Sequence, residues 1–340
     1  MYIYTLISHF KLIQKTHSMN HLLKQVAKYS LILFLISPAL CAQQEFSIGI
    51  VRESVINLRT FPKYSAEMGT QALMGTPVHI LETVHGWSRV VTPEGYTAWT
   101  SEESVQKMST LEYAAWKSSP KVIVSNYFTV LRSQPSEKAS VVSDVVWGDI
   151  MGLMGNKGKY IQVLLPDGRT GYLLKSFGKP STEWFANHQP TASNIIETAK
   201  KFIGFPYLWG GTSIKGMDCS GFTKTSFFLN GVILARDASQ QARTGENVDI
   251  TNGFSKLQPA DLLFFGSMKE NKEHVSHVGM YIGNGEFIHS SGTVHISSLV
   301  PGSANYDAFN TKRLLRAQRM ITRIDRDSAI VSVKNHPFYQ

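Results

Sequence analysis

The sequence predicts an α+β protein in which two small β-barrels precede a mixed helix-and-strand domain. Two observations point to it. A set of positions repeats at an offset of 73 residues through the middle of the chain. From Ser193 the texture then changes to a helical spacing, a second helix start bearing a cysteine, and a strand hairpin carrying two histidines. A small barrel cannot hold that second pattern, and a purely helical domain cannot hold the first.

The repeat pairs Leu58-Arg59 and Pro62 with Leu131-Arg132 and Pro135. It also pairs Gly75 with Gly148, Trp87 with Tyr160, Val90 with Val163, Pro93 with Pro166 and Gly95 with Gly168. The closing Gly95-Tyr96 and Gly171-Tyr172 are offset by 76, a longer last turn in the second copy. Within each copy, short alternating runs such as Trp87-Ser-Arg-Val-Val and Tyr160-Ile-Gln-Val-Leu are separated by Gly and Pro turns, the pattern of a small barrel. These units, residues 46–107 and 120–178, resemble bacterial SH3 domains. Residues 109–120 and 178–190 are expected to be linkers.

In the last part, Ile195, Ile196, Ala199, Phe202 and Ile203 have helical spacing, with Ser193 or Asn194 as the expected cap and a stop at Gly204-Phe-Pro206. Phe222–Leu229 reads as a helix ended by Asn230-Gly231, which puts Cys219 in its first turn. Free N–H groups and the helix dipole there are expected to lower the thiol pKa. Asp261–Phe265 reads as a strand. His277-Val-Gly-Met-Tyr-Ile282 turns at Gly283-Asn-Gly285 and returns as Glu286-Phe-Ile-His289, a strong hairpin signal. The fold of a hairpin brings His277 and His289 together. A thiol at a helix start, an imidazole to take its proton and a second polar group to orient that imidazole are the parts of nucleophilic catalysis. Taken alone, Cys219 would read as a buried inert thiol, and His289 as a strand residue satisfied by backbone. His274 is expected as a solvated histidine in a polar loop, 269–276. A zinc site on Cys219, His274, His277 and His289 is the rival reading, but it leaves the segment Asp218-Cys-Ser-Gly without a purpose.

Composition is that of an ordinary globular protein: 43% hydrophobic and 17% charged residues exclude a disordered chain, and two or three domains fit 340 residues. Residues 1–42 hold Lys11, Lys15, Lys24 and Lys28, no acidic residue, and an apolar run from Leu31 to Ile36 before Ala39-Leu-Cys-Ala42. This is the pattern of a secretory signal peptide cleaved after Ala42, with an apolar run shorter than the roughly 20 residues of a membrane span. Leu40 and Pro38 disfavour a lipid anchor on Cys41. Without residues 1–42 the formal charge falls from +9 to +5, with no basic block to suggest nucleic acid. Cys219 is then the one remaining cysteine, which excludes an internal disulfide and a multi-cysteine zinc site.

Asp218-Cys-Ser-Gly-Phe222, Leu257-Gln-Pro-Ala-Asp-Leu-Leu-Phe-Phe265, His277-Val-Gly-Met-Tyr-Ile-Gly283 and Phe287-Ile-His289 resemble the NlpC/P60 cysteine peptidases over residues 192–320, with 321–340 as a tail. The resemblance implies a papain-like α+β fold and a triad of Cys219, His277 and His289. It implies hydrolysis of peptidoglycan stem peptides between γ-D-glutamate and an L-diamino acid, with no cofactor and no metal. Ala260 departs from the usual Gly, which matters only if that turn needs a positive φ. The two barrels make the chain similar to the YkfC-like dipeptidyl peptidases, in which the first barrel selects substrates with a free N-terminal L-Ala. That similarity places Tyr207, Trp209, Asp218, Ser220 and Ser239 along the substrate groove. It offers Glu67 as the partner of the substrate amine and Trp99 as a wall of its pocket. The expectation is an exported monomer of the periplasm or cell envelope, acting on stem peptides, with no nucleic-acid partner and no membrane span. A non-catalytic wall-binding protein is the alternative.

Overall fold

In the computed structural model, residues 47–340 are described. The expected export segment and its cleavage point near Ala42 lie outside the described residues.

The first barrel comprises β1 (Ser47–Val51), β2 (Val55–Arg59), β3 (Met68–Leu73), β4 (Pro77–Val84), β5 (Trp87–Val91), β6 (Thr97–Ser101) and β7 (Val105–Met108). The second comprises β8 (Lys121–Val124), β9 (Phe128–Arg132), β10 (Val141–Val146), β11 (Ile150–Lys157), β12 (Tyr160–Leu164), β13 (Thr170–Leu174) and β14 (Gly178–Pro180). Their strand orders, β3-β2-β6-β5-β4-β1-β7 and β10-β9-β13-β12-β11-β8-β14, are the same order seven strands apart. The repeat has a physical origin. Leu58 and Leu131, and Val90 and Val163, are fully buried at equivalent core positions. Gly75 and Gly148 both sit at positive φ, +84° and +96°, in the turn before the fourth strand, where a side chain would be strained.

Neither expected linker is irregular. Residues 110–118 form helix α1 (Thr110–Ser118), started by a capping box between Ser109 and Glu112. Helix α2 (Ser181–Asn187) follows β14 and buries Trp184, whose indole N–H donates to the Leu229 carbonyl at 2.9 Å. Helix α3 (Ala192–Lys200) starts earlier than Ser193 or Asn194 would allow. Thr191 is its cap, because the Thr191 hydroxyl accepts from the Asn194 N–H at 3.2 Å.

In the last domain, β15 (Thr212–Ser213) and β16 (Gly216–Met217) form a small hairpin before helix α4 (Cys219–Phe228). Then come β17 (Val232–Leu234), helix α5 (Ala238–Gln241), β18 (Glu246–Val248), β19 (Leu262–Lys269), β20 (Lys272–Gly283), β21 (Glu286–Ser291), β22 (Thr293–Ser298), helix α6 (Ala308–Thr311), β23 (Leu314–Arg319) and β24 (Ile330–Ser332). The main sheet is antiparallel, in the order β18-β23-β19-β20-β21-β22. Alternation along β19 explains its two packed faces. Leu262 and Phe264 join Phe222, Phe227, Val278 and Met280 under α4, while Leu263 and Phe265 join Tyr281 and Phe287 on the other side.

Two sequence expectations are corrected here, and a third, conditional on the backbone at Ala260, is resolved. His274 is not in a loop: β19 and β20 zip together past the core, pairing Ser267 with His274, and the turn shrinks to Glu270-Asn271, both at positive φ. Residues 321–340 are not a free tail, since β24 pairs with β17 and the Tyr113 hydroxyl donates to the Phe338 carbonyl at 2.5 Å. Ala260 does sit at a positive φ, +71°, fully buried, so the departure from Gly carries backbone strain of about 1–2 kcal/mol.

Candidate active site

Cys219 is the first residue of α4, and Asp218 caps it by accepting from the Gly221 N–H at 2.7 Å. Both glycines of the surrounding motifs are there for close approach. A Cβ on Gly221 would meet the Gly211 carbonyl at 2.0 Å, and one on Gly210, at φ +77°, would meet the Met68 carbonyl at 2.2 Å. The first contact sets α4 against the Tyr207–Gly211 segment. The second brings the first barrel against that same segment.

The β20–β21 hairpin turns through Asn284 and Gly285, both at positive φ, which matches the twist of the two strands. It sets His277 Nε2 2.8 Å from His289 Nδ1. His289 is 1% exposed, and its Nε2 lies 3.0 Å from the Ser297 hydroxyl. One proton arrangement makes a base of His277. Its Nε2–H donates to His289 Nδ1, His289 Nε2–H donates to Ser297, and His277 Nδ1 is left with a free lone pair. The Cys219 sulfur accepts from the Val278 N–H, so it lies against the residue that follows His277. Ser297 was not singled out from sequence. Its signal is the register of β22, in which His295 faces His289 and Ser297 stands two residues on, the same face of the strand.

The expected fall in the thiol pKa is not found. Burial pushes Cys219 up to about 11, reinforced by the Asp218 carboxylate, and the Val278 and Ser220 N–H groups and the Arg236 charge offset this only in part. The helix start offers less than the sequence suggests, because the Gly221 N–H is already given to Asp218. Burial also lowers His277 to about 4, helped by the Arg313 charge, and His289 to about 3, helped by His277. Near neutral pH the resting groups are therefore a thiol and two neutral imidazoles. The nucleophile must be made by moving the thiol proton to His277, a step that the lone pair on Nδ1 permits.

Asp218 is 6% exposed and saturated. It receives the Gly210 N–H at 2.9 Å and forms a two-pronged ion pair with Arg236, with Nη2 to Oδ2 at 2.5 Å and Nη1 to Oδ1 at 3.2 Å. Ser220 is equally buried and accepts from Arg236 Nη1 at 2.9 Å. Arg236 reaches on to the first barrel, donating from Nε to the Thr70 hydroxyl at 2.9 Å. The barrel edge continues along the groove. Gln71 receives the Thr212 N–H and the Ser213 hydroxyl, and Glu67 receives the Trp209 indole N–H at 2.7 Å. Trp209 is 62% exposed, so this last contact forms an open rim. Tyr207 is half-buried, and burial, with Cys219 and Asp218 in electrostatic reach, pushes its phenol up to about 12, so it keeps its proton near both. Ser239 is half-buried on α5, which follows Arg236 and Asp237.

Tyr96 is an addition that sequence reasoning passed over. Its hydroxyl lies against Gly69, where a Cβ would come within 2.6 Å. Burial raises its pKa, with further upward contributions from Asp237, Glu67 and Asp218, so this phenol faces the acidic groups of the groove. The closing Gly-Tyr pair of the repeat was its available signal. Trp99 lies on β6 of the first barrel. It faces Arg59 and Arg89 within the first sheet and has no ring contact or hydrogen bond to the site among the described residues. Among those residues, no group of three His, Cys, Asp or Glu side chains is placed to hold a metal ion.

Comparison with known proteins agrees with this arrangement. Residues 204–317 match the NlpC/P60 family and residues 54–106 match the bacterial SH3 domain. The chain is 35% identical over 243 residues to a gamma-D-glutamyl-L-lysine dipeptidyl-peptidase of Bacillus cereus, covering 69% of this chain and 71% of the relative. A protein of the same name from Bacillus subtilis is 30% identical over 232 residues, covering 66% and 72%. The crystal structure of an NlpC/P60 family protein from Bacillus cereus matches with a TM-score of 0.67 at 29% identity, covering 80% of this chain and 99% of that one. On this likeness over most of its length, the chain belongs to the NlpC/P60 family of hydrolases.

Proposed function

We propose that the protein is a cysteine peptidase that hydrolyses the γ-D-glutamyl–L-diamino acid bond of peptidoglycan stem peptides bearing a free N-terminal L-Ala, in cell-wall turnover or recycling. The observation that carries this reading is the 2.8 Å contact between His277 and His289 beside Cys219, in a groove rimmed by Glu67 of the first barrel. The names of the relatives supply the bond. Cys219 is the nucleophile, His277 the base and His289 the group that orients it. The thiol proton passes to His277 Nδ1 as sulfur attacks the γ-carbonyl carbon. The tetrahedral oxyanion takes hydrogen bonds from the Cys219 N–H and the Tyr207 hydroxyl. Collapse forms a thioester on Cys219, and His277 protonates the departing amine of the diamino acid. Water, deprotonated by His277, then opens the thioester and releases L-Ala-D-Glu.

Glu67, Trp209 and Tyr96 form the pocket for the substrate amine. Asp218 and Ser220 shape it through Arg236, and Ser239 lines the groove beside them. The protein acts as an exported monomer in the cell envelope. Export rests on the basic and apolar pattern of residues 1–42. The test is mass spectrometry of products from a defined stem-peptide set. The wild type should release L-Ala-D-Glu, and Cys219→Ala should release none while its circular dichroism is unchanged. Equal turnover by the variant would refute the assignment.

A further inference from the structure

The five arginines of residues 192–320 differ in one respect. Arg236, Arg316 and Arg319 each hold a carboxylate, from Asp218, Glu273 and Asp261. Arg243 and Arg313 have no such partner among the described residues, and of these two Arg313 is the one whose charge is felt at His277. It stands between α6 and β23. Its Nη2 donates to the Ser276 hydroxyl at 2.6 Å, and its guanidinium carbon lies 4.4 Å from the centre of the Phe309 ring. The Nη1 contact to Asn310 is long, at 3.5 Å. Ser276 precedes His277 and is the extra residue where the β19–β20 register shifts, between the pairs Phe265–His277 and Gly266–Val275. A bulge of this kind re-aims a side chain beside a site. Phe309 is 68% exposed. A half-buried cation held in place by an aromatic face and a hydroxyl, with donor capacity left over and no anion, is set up to receive one.

The side of the groove follows from the chemistry. Glu67, Trp209 and Arg236 lie on the barrel side of Cys219, while His277, which must protonate the leaving amine, lies with Ser276 and Arg313 on the sheet. The Asp307 carboxylate is also felt at His277, but it is taken up by the N–H and side-chain amide of Asn310, so the anion that a substrate would bring to that side of the scissile bond is a carboxylate of the departing diamino acid. We propose that Arg313, backed by Phe309 and Ser276, is a specificity-determining residue that binds a carboxylate of the residue released from the substrate. This rests on the proposed function. The carboxylate has two sources, the main-chain group of a C-terminal diamino acid or a side-chain group such as that of diaminopimelate.

The experiment measures kcat/KM for L-Ala-γ-D-Glu-L-Lys, its C-terminal amide, and the amide of the peptide with diaminopimelate in place of Lys. Wild type, Arg313→Gln and Arg313→Lys are compared. Arg313→Gln should lower the preference for one carboxylate-bearing peptide over the lysine amide by about ten- to a hundredfold, the worth of a charge-assisted hydrogen bond. The loss should be read in KM, with partial retention in Arg313→Lys. A collapse confined to the lysine acid names the main-chain carboxylate; a collapse confined to the diaminopimelate amide names the side-chain one. An equal loss on all three peptides, or an unchanged ratio, overturns the proposal and leaves the hydrolase reading standing. Failure of the wild type to cleave any of them overturns both.

Discussion

Arg236 joins the start of the nucleophile helix, through its cap Asp218 and the Ser220 hydroxyl, to the edge strand of the first barrel, far away in sequence. Its side chain is 2% exposed and that of Asp218 is 9% exposed, so neither charge has water to fall back on. Replacing Arg236 by Met would leave the Asp218 carboxylate buried with only two backbone N–H groups, from Gly210 and Gly221, and a weak Ser220 contact. Breaking a buried pair from one side costs about 3–5 kcal/mol. Asp218→Asn keeps a capping side chain but leaves the guanidinium unpaired, at a similar cost. The double variant Arg236→Met with Asp218→Asn buries no charge, and its loss should fall short of the sum of the singles by at least about 2 kcal/mol. The assay is urea unfolding of the four proteins, with equal m-values as the condition for comparing midpoints. A second readout separates packing from electrostatics. In Arg236→Met, the unbalanced Asp218 charge beside Cys219 should raise the thiol pKa further and slow alkylation by iodoacetamide, and the double variant should recover it. Additive losses, or single-variant losses below about 1 kcal/mol, would refute the view that this ion pair holds the site together.

Two more outcomes follow from the geometry. Burial holds His277 and His289 below their ordinary 6.5, at about 4 and about 3, so the unfolded chain takes up protons first as pH falls. Their stabilisation is therefore full above pH 6.5 and is lost as pH falls towards 4, at up to about 1.4 kcal/mol per pH unit for each histidine. Unfolding free energies measured from pH 7 to 4.5 should show that slope, and His289→Gln should flatten it; identical slopes would refute it. In the groove, Glu67→Gln should reduce kcat/KM about tenfold more for a free-amine peptide than for its N-acetylated form, by removing the charge partner of the amine. Equal effects on both peptides would take Glu67 out of the amine pocket.

Much of this arrangement was legible in the sequence because it is local. The repeat reports two cores with the same buried positions, such as Leu58 and Leu131. The Asn284-Gly285 turn fixes a register, and the register decides that His277 and His289 meet. Legibility failed where a neighbour in space decides the outcome. The thiol at a helix start looked acidified because a helix N-terminus is visible in sequence, whereas the desolvation that pushes Cys219 the other way depends on what covers it. Ser297 was missed because its partner His289 lies on another strand, and Tyr96 because the acidic groups Asp237 and Asp218 that it faces lie in another domain. Residues 321–340 looked like a tail because the pairing of β24 is with β17, far earlier in the chain.

By itself the sequence determined the kind of domains, the order of the chemical groups and the face of the hairpin that carries them, since period, turn type and helix start act over a few residues. Only the tertiary structure decided the state of those groups. The ionisation of Cys219 and the two histidines, the clamp of Arg236 on Thr70, the reach of Glu67 to Trp209 and the unpartnered charge of Arg313 all depend on separations through space. Electrostatic energy and desolvation are set by those separations and by what excludes water, neither of which is written in residue spacing.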